Sequence, residues 1–426
     1  MPILRAGLSA SENAMEEMRV KRVVPLGITL TLTLTLTMIL ALAAATCVGQ
    51  ATADVDNQRR TAFALEQEGK NAEAEAAWRA LEKARPENPE SYAHLGLLEA
   101  RQQHYKEAVP LYRKALALNP AMPGLQLNLG LALFKADELK PAIQTFEALL
   151  KSESSSSPEA QRLTVLIGMA HYGLKEYSAA VPYLQEATAS EPQNLPFRLL
   201  LAHSCLASKQ YQCVLDVYHE ILTLNAESAE ADMLAGEALD EMQDHFGATQ
   251  QFRAAVKANP QEPNVHFGLG YLLWGQGQFA EAAQEFQAEL ANVPNHVQAL
   301  AYLADADMQL NHPEAALPLV EKTIRIDPGI EMAHLDLGIL DADAGRREDA
   351  LRELKVAARL SPADVKVHWR LARLYQAMGR KAEADAEFQK TKSLTKAAND
   401  TVFHKINSAP AKTTPTEGPA VVPADK

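Results

Sequence analysis

A repeat of 34 residues constrains this chain more than any other feature. One small position reads Ala62, Gly96, Gly130, Gly168, Ala202, Gly236, Gly270, Ala304, Gly338 and Ala372. The spacing is constant except between Gly130 and Gly168, where extra residues fall in a Ser-rich insertion at 152–157. Other positions recur in phase with it. Ala74, Ala108, Ala142, Ala282 and Ala350 form a second small row. Trp78, Tyr112, Phe146, Phe252, Phe286 and Phe388 form an aromatic row, and Pro86, Pro120, Pro260, Pro294 and Pro362 a proline row. Within each unit apolar residues return every three or four positions, as at Leu111, Ala115 and Leu118, which is the period of a helix. Gly69, Asp137, Gly277, Gly345 and Gly379 fall mid-unit and split it into two helices. Proline ends the second helix. One such unit cannot bury its own apolar face, so neighbouring copies must supply the core.

The order of small residue, Ala, aromatic and Pro over this length resembles the tetratricopeptide repeat family. The segments HYKEAVPLYRKALALNP and QFAEAAQEFQAELANVP read like that family's second helix. The likeness covers 54–396 in ten units. It implies an all-α fold, a right-handed superhelical α-solenoid of about ten tetratricopeptide repeats. Some positions depart from the pattern: Ser154 and Ala226 stand where Pro is expected, and Thr323 where Ala is usual. The first unit, with Gln58 and Thr61, is polar enough for an end cap. Residues 397–407 are expected to form a capping helix, and 408–426, rich in Pro, Thr and Ala, a disordered tail.

In that family the first helix of each unit lines a concave wall. The resemblance places Leu131, Phe134, Met169, Tyr172, Phe267, Tyr271 and Trp274 on this wall, with Glu237 and Asp240 beside them and Trp369 and Arg373 in the tenth unit. Asp305 and Asp336 fall near it. Such a groove suits a protein partner that offers a helix or extended peptide with apolar anchors and basic residues. The aliphatic positions suit packing between helices equally well. Tyr271 and Trp274, one turn apart, stand out as hot-spot candidates. The family's clamp for a C-terminal carboxylate is not expected, because Ala93 and Leu97 occupy positions where it needs Lys and Asn.

Catalytic and cofactor signatures are missing from the sequence. It has no GxxxxGK, HExxH or GxSxG. His266, His334 and His368 recur four residues before the small position, a register that packs between helices, and no metal is expected there. Asp341-Ala-Asp343-Ala-Gly345 lacks the third acidic ligand of a calcium loop. A net charge of −13 argues against nucleic acid as a partner. The chain is therefore expected to be a non-catalytic interaction scaffold or adaptor without cofactor or metal. Two alternatives stay open: a docking or regulatory subunit of an enzyme complex, and a polysaccharide-export helper.

The first 53 residues are expected to be a leader. Arg19, Lys21 and Arg22 precede an apolar run over 23–48, and Ala51-Thr52-Ala53 offers a cleavage site. Translation is expected to start at Met15 or Met18. The run is also long enough to stay as an anchor, and Cys47 offers a lipid site. The body is thus expected outside the cytoplasm, periplasmic or secreted, touching membrane only through 23–48 if the leader is uncleaved. Cys205 and Cys213 lie eight positions apart, near the end of one helix and early in the next. An oxidising compartment would favour their pairing, and two free buried thiols are the alternative.

Overall fold

The hydrophobic period translates into helices throughout. The computed structural model describes residues 54–154, 157–225 and 227–408, with side chains through 400. The leader over 1–53 and the tail beyond 408 lie outside the described residues. Among the described residues there are twenty helices and no strand. They fall into two units, one ending at Ala170 and the other beginning at His171.

The first unit holds α1 (54–67), α2 (Asn71–Ala84), α3 (Pro89–Arg101), α4 (Tyr105–Leu118), α5 (Leu125–Lys135) and α6 (Leu139–Leu150). The division falls within α7 (Pro158–Gly173). The second unit continues with α8 (Tyr177–Ser190), α9 (Leu195–Ala207), α10 (Tyr211–Leu224), α11 (Ala229–Glu241), α12 (His245–Ala258) and α13 (Val265–Gly275). It ends with α14 (Phe279–Asn292), α15 (Val297–Gln309), α16 (Pro313–Ile326), α17 (Glu331–Asp343), α18 (Arg347–Leu360), α19 (Val365–Ala377) and α20 (Lys381–Ser408). α20 runs unbroken to Ser408, so residues 397–407 continue the last repeat's second helix instead of forming a separate cap. In the second unit each helix packs on its neighbours in sequence. The first helices of successive repeats (α9, α11, α13, α15, α17 and α19) also touch one another, forming a continuous wall.

The turn inside each repeat is the same in all ten. The residue seven after the small position has positive φ: Gly69, Gln103, Asp137, Lys175, Lys209, Gln243, Gly277, Asn311, Gly345 and Gly379. The Asp137 N–H reaches the Phe134 carbonyl (3.2 Å) and the Glu138 N–H reaches the Leu133 carbonyl (2.9 Å), a doubly bonded Schellman turn. Six of the ten residues are not glycine, so the pair of turn bonds offsets the cost of a left-handed side chain.

The aromatic row packs first against the small residue of its own repeat. At Gly130 an added Cβ would stand 2.5 Å from Phe146 Cε1, and Phe146 is fully buried. The rings seal each helix pair, and Phe252 alone among those at glycines also reaches a glycine of the next repeat, Gly268. Cores of Trp78, Leu81, Leu95 and Leu98 in the first unit, and of Leu269, Leu273, Phe286 and Leu303 in the second, continue this packing.

The position four before the small residue ties the repeats' turns down. Tyr92 Oη donates to the Pro86 carbonyl and Arg198 Nη1 to the Pro192 carbonyl. His334 and His368 do the same through Nε2 to Pro328 (3.0 Å) and Pro362 (3.1 Å). Their Nδ1 atoms meet Glu353 and Glu387, and His266 meets Glu285. Each of these histidines engages a glutamate of its own repeat and does not face another histidine.

Candidate functional site

Four of the residues picked by the repeat register meet in one concavity of the second unit. A pocket of ≈ 350 Å³ lies among α9, α11 and α13. Its apolar floor is Met233, Phe252, Phe267 and Tyr271, and its rim carries Glu237, Asp240, Glu241 and Lys209. The placement follows from the repeat. Residues one and four after Gly236, and one after Gly270, project from the first helices onto the same wall.

The acidic rim is unevenly satisfied. His245 Nδ1 contacts Asp240 Oδ1 at 2.7 Å, and Tyr211 Oη donates to Glu241 Oε2 at 3.1 Å. Among the described residues Glu237 has no hydrogen-bond partner. Withdrawal of water raises its carboxyl above the usual range; His203 opposes this and Glu241 adds to it. Glu237 is exposed, so a cation of a partner could reach it from solvent.

Beside the pocket stands an aromatic ridge. Tyr302, on α15, makes edge contacts to Tyr271 (5.4 Å), Trp274 (5.0 Å) and Phe267 (5.9 Å). Trp274 is half-buried and donates its indole N–H to Asp305 Oδ2 at 2.6 Å. It buttresses Tyr302 and does not line the pocket. Tyr271 is 43 % exposed and is the ridge's accessible ring. Sequence reasoning missed Tyr302. Its signal was an aromatic two residues before Ala304, which places it opposite Tyr271 and Trp274 of the preceding repeat.

Two glycines let α13 sit this close. A methyl at Gly268 would collide with the Phe252 ring, and one at Gly270 would stand 2.8 Å from Phe286. The helix is wedged between these two rings.

The other picked residues are placed elsewhere. Leu131 and Phe134 on α5 and Met169 on α7 are half-buried and belong to the first unit. Tyr172 packs edge-on against Tyr177 at 5.6 Å and against the core around Leu184 and Leu201. Trp369 on α19 is 43 % exposed, with the guanidinium groups of Arg370 and Arg373 5.3 and 5.8 Å from its ring. Cys205 and Cys213 are joined by a disulfide between α9 and α10, with Cα atoms 5.9 Å apart.

Family models described as tetratricopeptide repeat match residues 61–123, 99–167, 162–194, 233–297, 267–329 and 341–395. Among curated proteins, the chain is 23% identical over 305 residues to the DnaJ protein P58IPK homolog A of Oryza sativa subsp. japonica, covering 68% of this chain and 59% of that one. It is 26% identical over 204 residues to the BBSome complex member BBS4 of Bos taurus, covering 47% of this chain and 38% of that one. The chain thus spans less than two thirds of these relatives' length. A solved tetratricopeptide repeat protein from Parabacteroides merdae aligns with 17% identity and a TM-score of 0.44, over 59% of this chain and 97% of that one.

Proposed function

Because the chain belongs to the tetratricopeptide repeat family, whose members mediate protein–protein interactions, we propose that it is a non-catalytic scaffold that holds a peptide or helical segment of a protein partner on the wall of α9 to α19. The observation that carries this reading is the pocket among α9, α11 and α13. It has an aromatic floor and an exposed carboxylate, Glu237, that no side chain of the described residues hydrogen-bonds. Apolar anchors would enter beside Phe267 and Tyr271, and a Lys or Arg of the partner would meet the rim. Membership of a multi-protein assembly, as the BBSome relative's name states for that protein, is consistent with such a role. Export is part of the same proposal. The basic–apolar leader pattern and the Cys205–Cys213 bond both suit a compartment outside the cytoplasm.

The test is fluorescence anisotropy with a labelled amphipathic peptide of about sixteen residues carrying Leu and Trp on one face and Lys on the other. Tyr271→Ala and Glu237→Gln should each weaken binding about tenfold or more while the melting curve by circular dichroism stays in place. Equal affinity for wild type and both variants would reject the pocket as the binding surface.

A further inference from the structure

Charge is distributed unequally along the wall of first helices in the second unit. α11 carries Glu230, Asp232, Glu237, Asp240 and Glu241, and no Lys or Arg. α19 carries Lys366, Arg370 and Arg373, and no Asp or Glu. Over residues 365–396 there are eight Lys or Arg against three Asp or Glu, in a chain whose net charge is −13. The α19 cations are exposed, and among the described residues none of them makes a close ion pair, although Lys366 and Arg370 act on the Asp336 carboxyl at longer range. Arg370 and Arg373 instead flank the exposed Trp369 ring. Between these poles lie the ridge of Tyr271, Trp274 and Tyr302 and then Asp305, which takes the Trp274 indole N–H.

We propose that the wall is bipolar and that its partner is a charge-polarised polypeptide segment. The segment's basic end meets the α11 carboxylates, its apolar centre the Tyr271 ridge, and its acidic end the Arg370–Trp369–Arg373 patch. This rests on the peptide-binding reading above and adds the partner's charge order. Trp369 offers a flat apolar face on which an acidic side chain's stem can lie while its carboxylate pairs with a guanidinium. Four steps between adjacent first helices, at about 8–10 Å each, separate α11 from α19. An extended chain covers that span with about twelve residues. A flat anionic surface such as a bilayer would meet Arg370 and Arg373, but it would also face Glu237, Asp240 and Asp305, which repel it. A second copy of this acidic chain carries the same penalty.

The test uses the full chain and three labelled peptides of about sixteen residues. The first has Lys at one end, Leu and Trp in the centre and Glu at the other end. In the second the Glu residues become Gln, and in the third the Lys residues become Gln. Wild type should bind the first about tenfold more tightly than either of the others. The double variant Arg370→Gln/Arg373→Gln should lose that factor for the first peptide and lose nothing for the Glu-free one. The double variant Glu237→Gln/Asp240→Asn should lose that factor for the first peptide and lose nothing for the Lys-free one, while still preferring the first peptide to the Glu-free one. Circular dichroism melts of both variants control for unfolding. If wild type binds the first and Glu-free peptides equally, the basic pole is not a docking site, although the groove reading stands. If none of the peptides binds, the groove reading falls and takes this one with it. Binding of vesicles containing anionic phospholipid by wild type and not by the Arg variant, or self-association lost in that variant, would likewise overturn the proposal.

Discussion

Asp336→Asn should stabilise the second unit at neutral pH. Asp336 sits on α17 at 2 % exposure, and its Oδ2 has no hydrogen-bond partner. Burial pushes its carboxyl well above the usual range. The charges of Asp305 and Glu331 push it further, and Lys366 and Arg370 oppose them. A carboxyl whose folded value lies above its unfolded value of about 3.9 binds its proton more tightly in the native state. With respect to this group, stability is therefore greatest below pH ~4. It falls as pH rises through the unfolded value and stops falling above the folded one. At pH 7, above the unfolded value, the native chain carries a penalty that is absent below pH ~4. Leaving a buried polar group unmatched costs about 1–3 kcal/mol. Asn retains the polar group but removes the charge, so a gain of about 1–2 kcal/mol is expected at pH 7 and almost none at pH 4. Urea titrations of wild type and variant at both pH values, followed by circular dichroism, measure this as a shift in midpoint at unchanged slope. An equal gain at both pH values, or a loss at pH 7, would refute the argument that an unmatched carboxyl is the cause.

Two further outcomes follow from packing and covalent structure. Gly130→Ala forces a methyl against the buried Phe146 ring, 2.5 Å from Cε1 and 2.9 Å from Cδ1. Overpacking of about 1–3 kcal/mol exceeds the roughly 1 kcal/mol that alanine returns as a better helix former. The first unit should lose stability in urea, and Phe146→Leu in the same chain should recover part of the loss; a stabilised single variant would contradict this. Reducing Cys205–Cys213 opens a loop of sequence separation 8. The chain-entropy relation gives about 2.5 kcal/mol for a loop of that size. Hydrogen exchange in α9 and α10 should therefore quicken with reductant while α19 stays unchanged, and identical protection in both states would count against the bond's structural role.

The repeat period carried most of the fold. The spacing of Gly96, Gly130 and Gly270 to Tyr112, Phe146 and Phe286 identifies both helices and the contact between them, because a ring can lie flat on a helix only where no Cβ intervenes. The turns were only partly legible. Gly69 and Gly277 mark them, but Gln103, Lys175, Lys209 and Gln243 adopt the same left-handed backbone with no compositional sign. There the Schellman bonds at the helix end decide, and they are backbone bonds that no side chain announces. The contacts of Tyr92, Arg198, His334 and His368 with proline carbonyls escaped notice because four different residue types perform one task. For the candidate site, the register brought Glu237, Asp240, Phe267 and Tyr271 to one pocket. It could not show that Trp274's N–H is committed to Asp305, since a side chain's orientation depends on what the next repeat presents.

The wedging of α13 between Phe252 and Phe286 bears on how any partner would be received. Both rings are buried and cannot swing while Gly268 and Gly270 lie against them, so Phe252, the one of the two that lines the pocket, is fixed before anything arrives. Side chains that must be frozen on association each cost about 0.5–1.5 kcal/mol of lost rotamer freedom. Here folding has already frozen Phe252, so the entropic cost left on this side of a complex falls on the exposed Tyr271 and the acidic rim.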